Sequence, residues 1–159
     1  MILWERVINL TYEELLLEAD NNKLVTKEKN LPVSKGRIKG HRIAIDRKLT
    51  TTEKACVLAE ELGHHYTTAG SILSQASAEN RKQEMKARII AYDKMIGLSG
   101  IVKAYTAGCR NRYEIAEYLD VTEEFLIDAL SHYESKYGLC TTYEKYLIYF
   151  NPLGVLKRV

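Results

Sequence analysis

The sequence has few residues that would staple or stiffen it, with three cysteines and two prolines among 159 residues. Cys56, Cys109 and Cys140 are odd in number and form no CxxC pair, which excludes a disulfide framework and a thiolate zinc site. They read as reduced, packing side chains. No stretch approaches the ~18 consecutive apolar residues that a membrane span requires. The apolar start, Met1 to Leu10, is broken by Glu5, Arg6 and Asn9 and is followed by no small-residue cleavage site. No secretory signal is therefore expected, and the chain reads as cytoplasmic. Nor is there an excess of one charge: 23 Lys and Arg stand against 21 Asp and Glu, and a net charge of +2 is too small to call for a polyanion partner. No internal repeat, low-complexity tract or clear linker breaks the chain.

What is present is the composition of an ordinary folded protein, 46% hydrophobic and 28% charged. The length suits one domain, or a compact domain with a small appendage. Thr11-Tyr12-Glu13-Glu14 is a capping box, and the apolar residues after it predict a short amphipathic helix ending near Asn21-Asn22. From Leu24 to Asp46, spaced apolar residues among Pro32, Gly36 and Gly40 predict short strands and a hairpin, with Lys35, Arg37, Lys39 and Arg42 guarding its edge. A second capping box, Thr50 to Glu53, opens a helix predicted to run to about Tyr66. After a Thr-Thr-Ala-Gly-Ser loop, a helix is expected from about Ala78 to Ile96, then one near Asn111–Leu119 and one from Thr122 to about Tyr137. The tail, rich in Tyr, Leu and Ile, suggests a strand.

The second of these helices holds the chemistry. Glu60 and His64, four residues apart, stack on one helical face with Cβ atoms ~5–6 Å apart, close enough to converge on one ion. Glu61 is rotated by ~100° and stands beside such an ion, where a general base takes a proton from water. A catalytic zinc site needs three protein ligands and one open position. Glu84 is the best candidate for the third, because it heads a stripe of Ala87, Ala91 and Met95 on the following helix, whose alanines permit a close approach. A carboxylate on such a stripe is costly unless something compensates it. Zinc in this position brings the pKa of a water from ~15.7 to about 7. On spacing alone, ExxxH is most often a solvated helix face; the flanking pattern of buried helix, loop and carboxylate-bearing helix favours the metal reading.

These residues resemble the ImmA/IrrE family of metallopeptidases, common in phages and mobile elements of bacteria. The resemblance rests on Lys35 to Gly40 with Ile43 to Asp46 as a strand pair, on Leu49 to Lys54 with Val57 to His65 as the active-site helix, and on Glu84-Met85-Lys86-Ala87 followed by Ala91. It spans roughly Leu10 to Leu139 and is most specific over Thr50 to Ala91. Carried across, it makes His64 and Glu84 metal ligands and Glu61 the base, with Glu60 in the place of the first histidine of HExxH. The implied fold is α+β, a zincin-like helical domain with a small antiparallel edge sheet and a helical C-terminal portion. Residues 1–100 form the expected catalytic part and 101–159 a helical subdomain with a candidate terminal strand. The implied activity is zinc-dependent hydrolysis of a protein, a phage or mobile-element repressor. Two carboxylates and one imidazole also suit manganese. The competing reading is a non-catalytic relative that regulates a repressor by contact.

Other residues fit less sharply. His65 and Tyr66 are candidates to hold substrate or the developing oxyanion. Cys56 lies ~12 Å along the helix from His64 and cannot share its ion. His41 and His132 read as surface or packing histidines. Most of the 11 tyrosines lie beyond Gly100, a pattern of amphipathic core or of a partner surface. Glu114 to Leu126 resembles a helix-turn-helix, yet its second helix presents Glu123, Glu124 and Asp128, which repel phosphates, and nothing that reads bases. No direct nucleic-acid binding is expected.

Overall fold

The structure, a computed structural model, describes residues 10–68 and 77–159, with the backbone alone for 77–79. The start of the chain, read above as an interrupted apolar segment, lies outside these residues up to residue 9, as does the expected loop from residue 69 on. The architecture is α+β, in two compact units that divide after Ala91.

In the first unit, α1 (Tyr12–Asn21) begins at the expected capping box: Thr11 Oγ1 accepts from Glu14 N–H, and Glu14 accepts from Thr11 N–H. Three strands follow, β1 (Val25–Lys29), β2 (Gly36–Lys39) and β3 (Arg42–Asp46), in the order β1-β3-β2. The hairpin read from the sequence is β2 with β3, antiparallel, turned at Gly40 with φ of 58°. Strand β1 lies parallel on the other side of β3. Alternation in β3 buries Ile43 and Ile45 and leaves Arg42 exposed. Of the edge charges expected at Lys35, Arg37, Lys39 and Arg42, Arg37 and Lys39 belong to β2, which has a neighbour on one side only, and Lys35 precedes it, whereas Arg42 lies on β3, the central strand.

Helix α2 (Thr51–Thr68) starts at the second capping box, where Thr50 and Glu53 exchange side-chain bonds with each other's backbone N–H. Its buried residues Ala55, Leu58, Ala59 and Leu62 share the core with Leu15 and Ala19 of α1, and the helix packs on α1 and on the sheet. Polar braces fix these elements at the periphery. Tyr12 Oη donates to Glu28 (3.2 Å), which also accepts from Lys54 (2.8 Å), so α1, β1 and α2 meet in one chain of contacts.

Two glycines let elements approach α2 more closely than any side chain would allow. A Cβ on Gly36 of β2 would stand 2.3 Å from Val57 Cγ1, and one on Gly63 would stand 2.2 Å from the backbone oxygen of Ala87. Ala87 belongs to α3 (Ser77–Met95), and both it and Ala91 are fully buried. Thus α3 crosses α2 nearly backbone to backbone at Gly63.

The second unit, residues 92–159, contains the end of α3, then α4 (Gly97–Thr106), α5 (Arg112–Leu119) and α6 (Glu123–Tyr137), followed by an antiparallel sheet of β4 (Cys140–Tyr143), β5 (Tyr146–Phe150) and β6 (Leu153–Lys157). Helix α4 was not read from the sequence. Gly97, at φ of 60°, ends α3 in a left-handed turn, and the next helix starts at once without a side-chain cap. The tail forms three strands where one was expected. Tyr133 anchors this unit: it is buried, its ring packs near Tyr137 and Phe150, and its hydroxyl donates to Asp93 (3.1 Å). Burial and the Asp93 charge push its pKa far up, which keeps the phenol neutral. The late tyrosines are thus partly core. In the helix-turn-helix-like pair, Asp120 adopts φ of 52° between α5 and α6, and Glu123, Glu124 and Asp128 are exposed on α6, an acidic face.

Gly63→Ala is expected to lower stability by about 1–3 kcal/mol or more, since the obstacle is backbone and cannot rotate away. Gly36→Ala meets a side chain instead, so Val57→Ala in the same molecule should restore part of the loss. Urea unfolding of the three variants checks both expectations.

Candidate functional site

The residues singled out on α2 and α3 come together in the first unit. His64 Nε2 lies 3.2 Å from Glu84 Oε2, although 20 positions separate them in sequence. The contact follows from the crossing at Gly63. One residue after the glycine, His64 projects toward α3, and Glu84 sits one turn before Ala87, the residue against which Gly63 packs. Both side chains keep access to solvent, at 23% and 44% exposure, so a substrate has a route to them.

Glu61 occupies the more enclosed position. Burial, then the charges of Glu60 and Glu84, push its pKa up to about 7, against a downward pull from the Ile38 backbone N–H that it accepts. Three carboxylates therefore share one neighbourhood. The Gly36 gap explains how β2 reaches this carboxyl group: an added Cβ would stand 3.1 Å from Glu61 Oε1. Just before β2 the Lys35 carbonyl accepts from Asp46 N–H of β3 (2.8 Å), and the antiparallel alternation turns the Gly36 and Ile38 backbone groups outward. The unpaired edge of the sheet thus runs past Glu61.

The remaining predicted residues have other surroundings. Tyr66 Oη donates to Glu18 (2.5 Å) and accepts from Asn22 (3.1 Å), which braces α2 against α1. Burial and Glu18 push that phenol up to about 12. The ring of His65 lies 5.5 Å from that of Tyr66. Cys56 is buried, His41 is exposed in the hairpin turn, and His132 packs beside Tyr92 and Tyr133. Sequence reasoning missed Arg88, whose Nε donates to Glu84 Oε1 (3.2 Å). The i,i+4 spacing of Glu84 and Arg88 was the available signal.

The donors fit a metal ion in part. Two ligands on a tetrahedral zinc with bonds of ~2.0–2.1 Å stand about 3.3 Å apart, and His64 Nε2 and Glu84 Oε2 stand at 3.2 Å. A cluster of three carboxylates also calls for a cation to offset its repulsion. Among the described residues, no three His, Cys, Asp or Glu side chains are already drawn around one point. Glu60 is one turn before His64 on the same helical face, and its charge is felt at Glu61.

The raised pKa of Glu61 has a consequence for metal-free protein. A carboxyl whose folded pKa exceeds its unfolded value gives up stability as pH rises from 4.5 through about 7. Glu61→Gln should therefore leave stability unchanged below pH 4.5. Above pH ~7 the variant should be the more stable of the two by up to about 3 kcal/mol. Thermal melts of chelator-treated wild type and variant across this range test the sign.

Residues 9–131 match a peptidase family, described as the IrrE N-terminal-like domain, and the match takes in both α2 and α3. No curated protein matches the chain. The chain belongs to the IrrE N-terminal-like family of metallopeptidases, the ImmA/IrrE group.

Proposed function

We propose that this protein is a metal-dependent endopeptidase in which His64, Glu84 and Glu60 hold the ion and Glu61 is the general base. The observation that carries the reading is the 3.2 Å approach of His64 Nε2 to Glu84 Oε2 across two helices, at the separation of two ligands on one ion. Zinc, or manganese given the two carboxylates, would supply Lewis-acid polarisation of the scissile carbonyl and acidify a water. Glu60, in the place of the first histidine of HExxH, makes the ligand set more anionic than two imidazoles and a carboxylate would.

Glu61 takes the proton of the attacking water and returns it to the leaving amine. A carboxyl tuned toward neutral pH is suited to both transfers, because it accepts and releases a proton at small cost. The Ile38 N–H holds the carboxylate in place. Substrate lies as an added strand along the outer edge of β2, which carries it past Glu61. The substrate we assign is a protein, a repressor of a phage or mobile element, with the peptidase acting in the cytoplasm. Contacts to the substrate or the oxyanion fall to His65, since the Tyr66 hydroxyl is engaged with Glu18 and Asn22.

The second reading, regulation of a repressor by contact alone, draws on the absence of a preassembled three-residue cluster among the described residues. One experiment separates the two. Wild type, Glu61→Gln and His64→Ala are incubated with a candidate phage or mobile-element repressor, and cleavage and metal content are measured. The endopeptidase reading expects Glu61→Gln to keep its metal and lose cleavage by ~10²–10⁴-fold, His64→Ala to lose both, and chelation to abolish wild-type cleavage. Equal loss of repressor function with wild type and Glu61→Gln, without cleavage, establishes the contact reading instead.

A further inference from the structure

The two oxygens of Glu84 have different partners: Oε1 accepts from Arg88 Nε at 3.2 Å, and Oε2 meets His64 Nε2 at the same distance. Helix packing does not impose this division. The Gly63 crossing fixes the backbone of α3, but the Glu84 carboxyl sits at the end of a flexible side chain that is 44% exposed. Left to itself it would turn between one-oxygen and two-oxygen presentation toward α2. Arg88, one turn further along α3, occupies the outer oxygen.

Building on the proposed metal site, we propose that Arg88 is a positioning residue that makes Glu84 a one-oxygen ligand and thereby favours a small four-coordinate ion over a larger one. Zinc in tetrahedral sites takes a single carboxylate oxygen. Larger, harder ions gather more oxygens and readily accept both from one carboxylate. Groups that orient a metal-ligating side chain typically change metal affinity by ~10–100-fold when removed.

The plain alternative is a solvated i,i+4 ion pair. Both partners are more than two-fifths exposed, and a glutamate preceding its arginine by one turn is the favoured order on any helix. Such a pair contributes little to stability, and its loss would not discriminate between ions. A third account is charge: the guanidinium offsets one of the carboxylates of Glu60, Glu61 and Glu84. Removing that charge would strengthen binding of every divalent cation alike, so the ratio of two affinities cancels it.

The test measures dissociation constants for zinc and manganese by titration calorimetry with competing chelator, using wild type, Arg88→Gln and Arg88→Lys. Melting curves of each metal-free variant confirm that all three are folded. Lysine keeps the charge but offers a freely rotating ammonium on a flexible stem in place of the fixed, planar Nε–H that meets Oε1. Positioning predicts that both variants lower the zinc-over-manganese affinity ratio about tenfold. Parallel changes for the two ions, seen in Arg88→Gln and absent in Arg88→Lys, establish the charge account and overturn the proposal. Unchanged constants in both variants establish the solvated pair and also overturn it. If wild type itself binds neither ion, the metal site falls, and the role of Arg88 falls with it.

Discussion

A methyl group on Gly63 would stand 2.2 Å from the carbonyl oxygen of Ala87, so α2 and α3 can only cross as they do where one of them has no side chain. That crossing sets the rest of the site. It places Glu84, one turn before Ala87, opposite His64, one residue after Gly63, and closes to 3.2 Å a pair of groups 20 residues apart. On the other side of α2, Gly36 lets β2 lie against Val57 and Glu61, and the Ile38 N–H steadies the carboxylate. One helix thus has the Glu84-bearing helix on one flank and a sheet edge on the other. Both close approaches depend on glycine.

The electrostatics follow from the packing. Drawing Glu60, Glu61 and Glu84 into a partly enclosed space raises the free energy of the charged cluster, and the cost is seen at Glu61, whose pKa is pushed up by burial and by the other two charges. A protein selected for stability alone would not assemble such a group. A protein that uses a cation and a base of near-neutral pKa gains function from the same arrangement. Arg88 touches the outer oxygen of Glu84 and leaves the inner one to His64, so even the exposed rim of the cluster is ordered.

Much of this was legible in the sequence where the signal is local. The Thr11 and Thr50 capping boxes mark helix starts by hydrogen bonds within four residues, and both occur as read. The ExxxH spacing and the Ala87, Ala91 stripe headed by Glu84 pointed to a meeting of two helices, and the resemblance named Glu84 as well. What sequence did not reveal depends on tertiary partners. Gly63 reads as a weak point in a helix until the Ala87 backbone is seen against it. Strand β1 pairs in parallel with β3, a register that no short-range pattern encodes. In the tail, the turn between β4 and β5 at Glu144-Lys145 has neither Gly nor Pro, so punctuation did not reveal it, although Asn151-Pro152 marked the turn between β5 and β6; Gly97 looked like an end when it is a corner between two helices. Tyr66 lies one turn and more beyond Glu61 on the chemistry-bearing helix, yet its hydroxyl is turned to α1.

The central claim is that His64 and Glu84 are joint ligands of one ion. A crystal grown with zinc and measured on both sides of the zinc absorption edge tests this directly. The account predicts one anomalous peak at ~2.0–2.2 Å from both His64 Nε2 and Glu84 Oε2, with a carboxylate oxygen of Glu60 completing the protein ligands. A structure in which His64 and Glu84 keep their mutual contact in saturating zinc, with no peak between them, would contradict it.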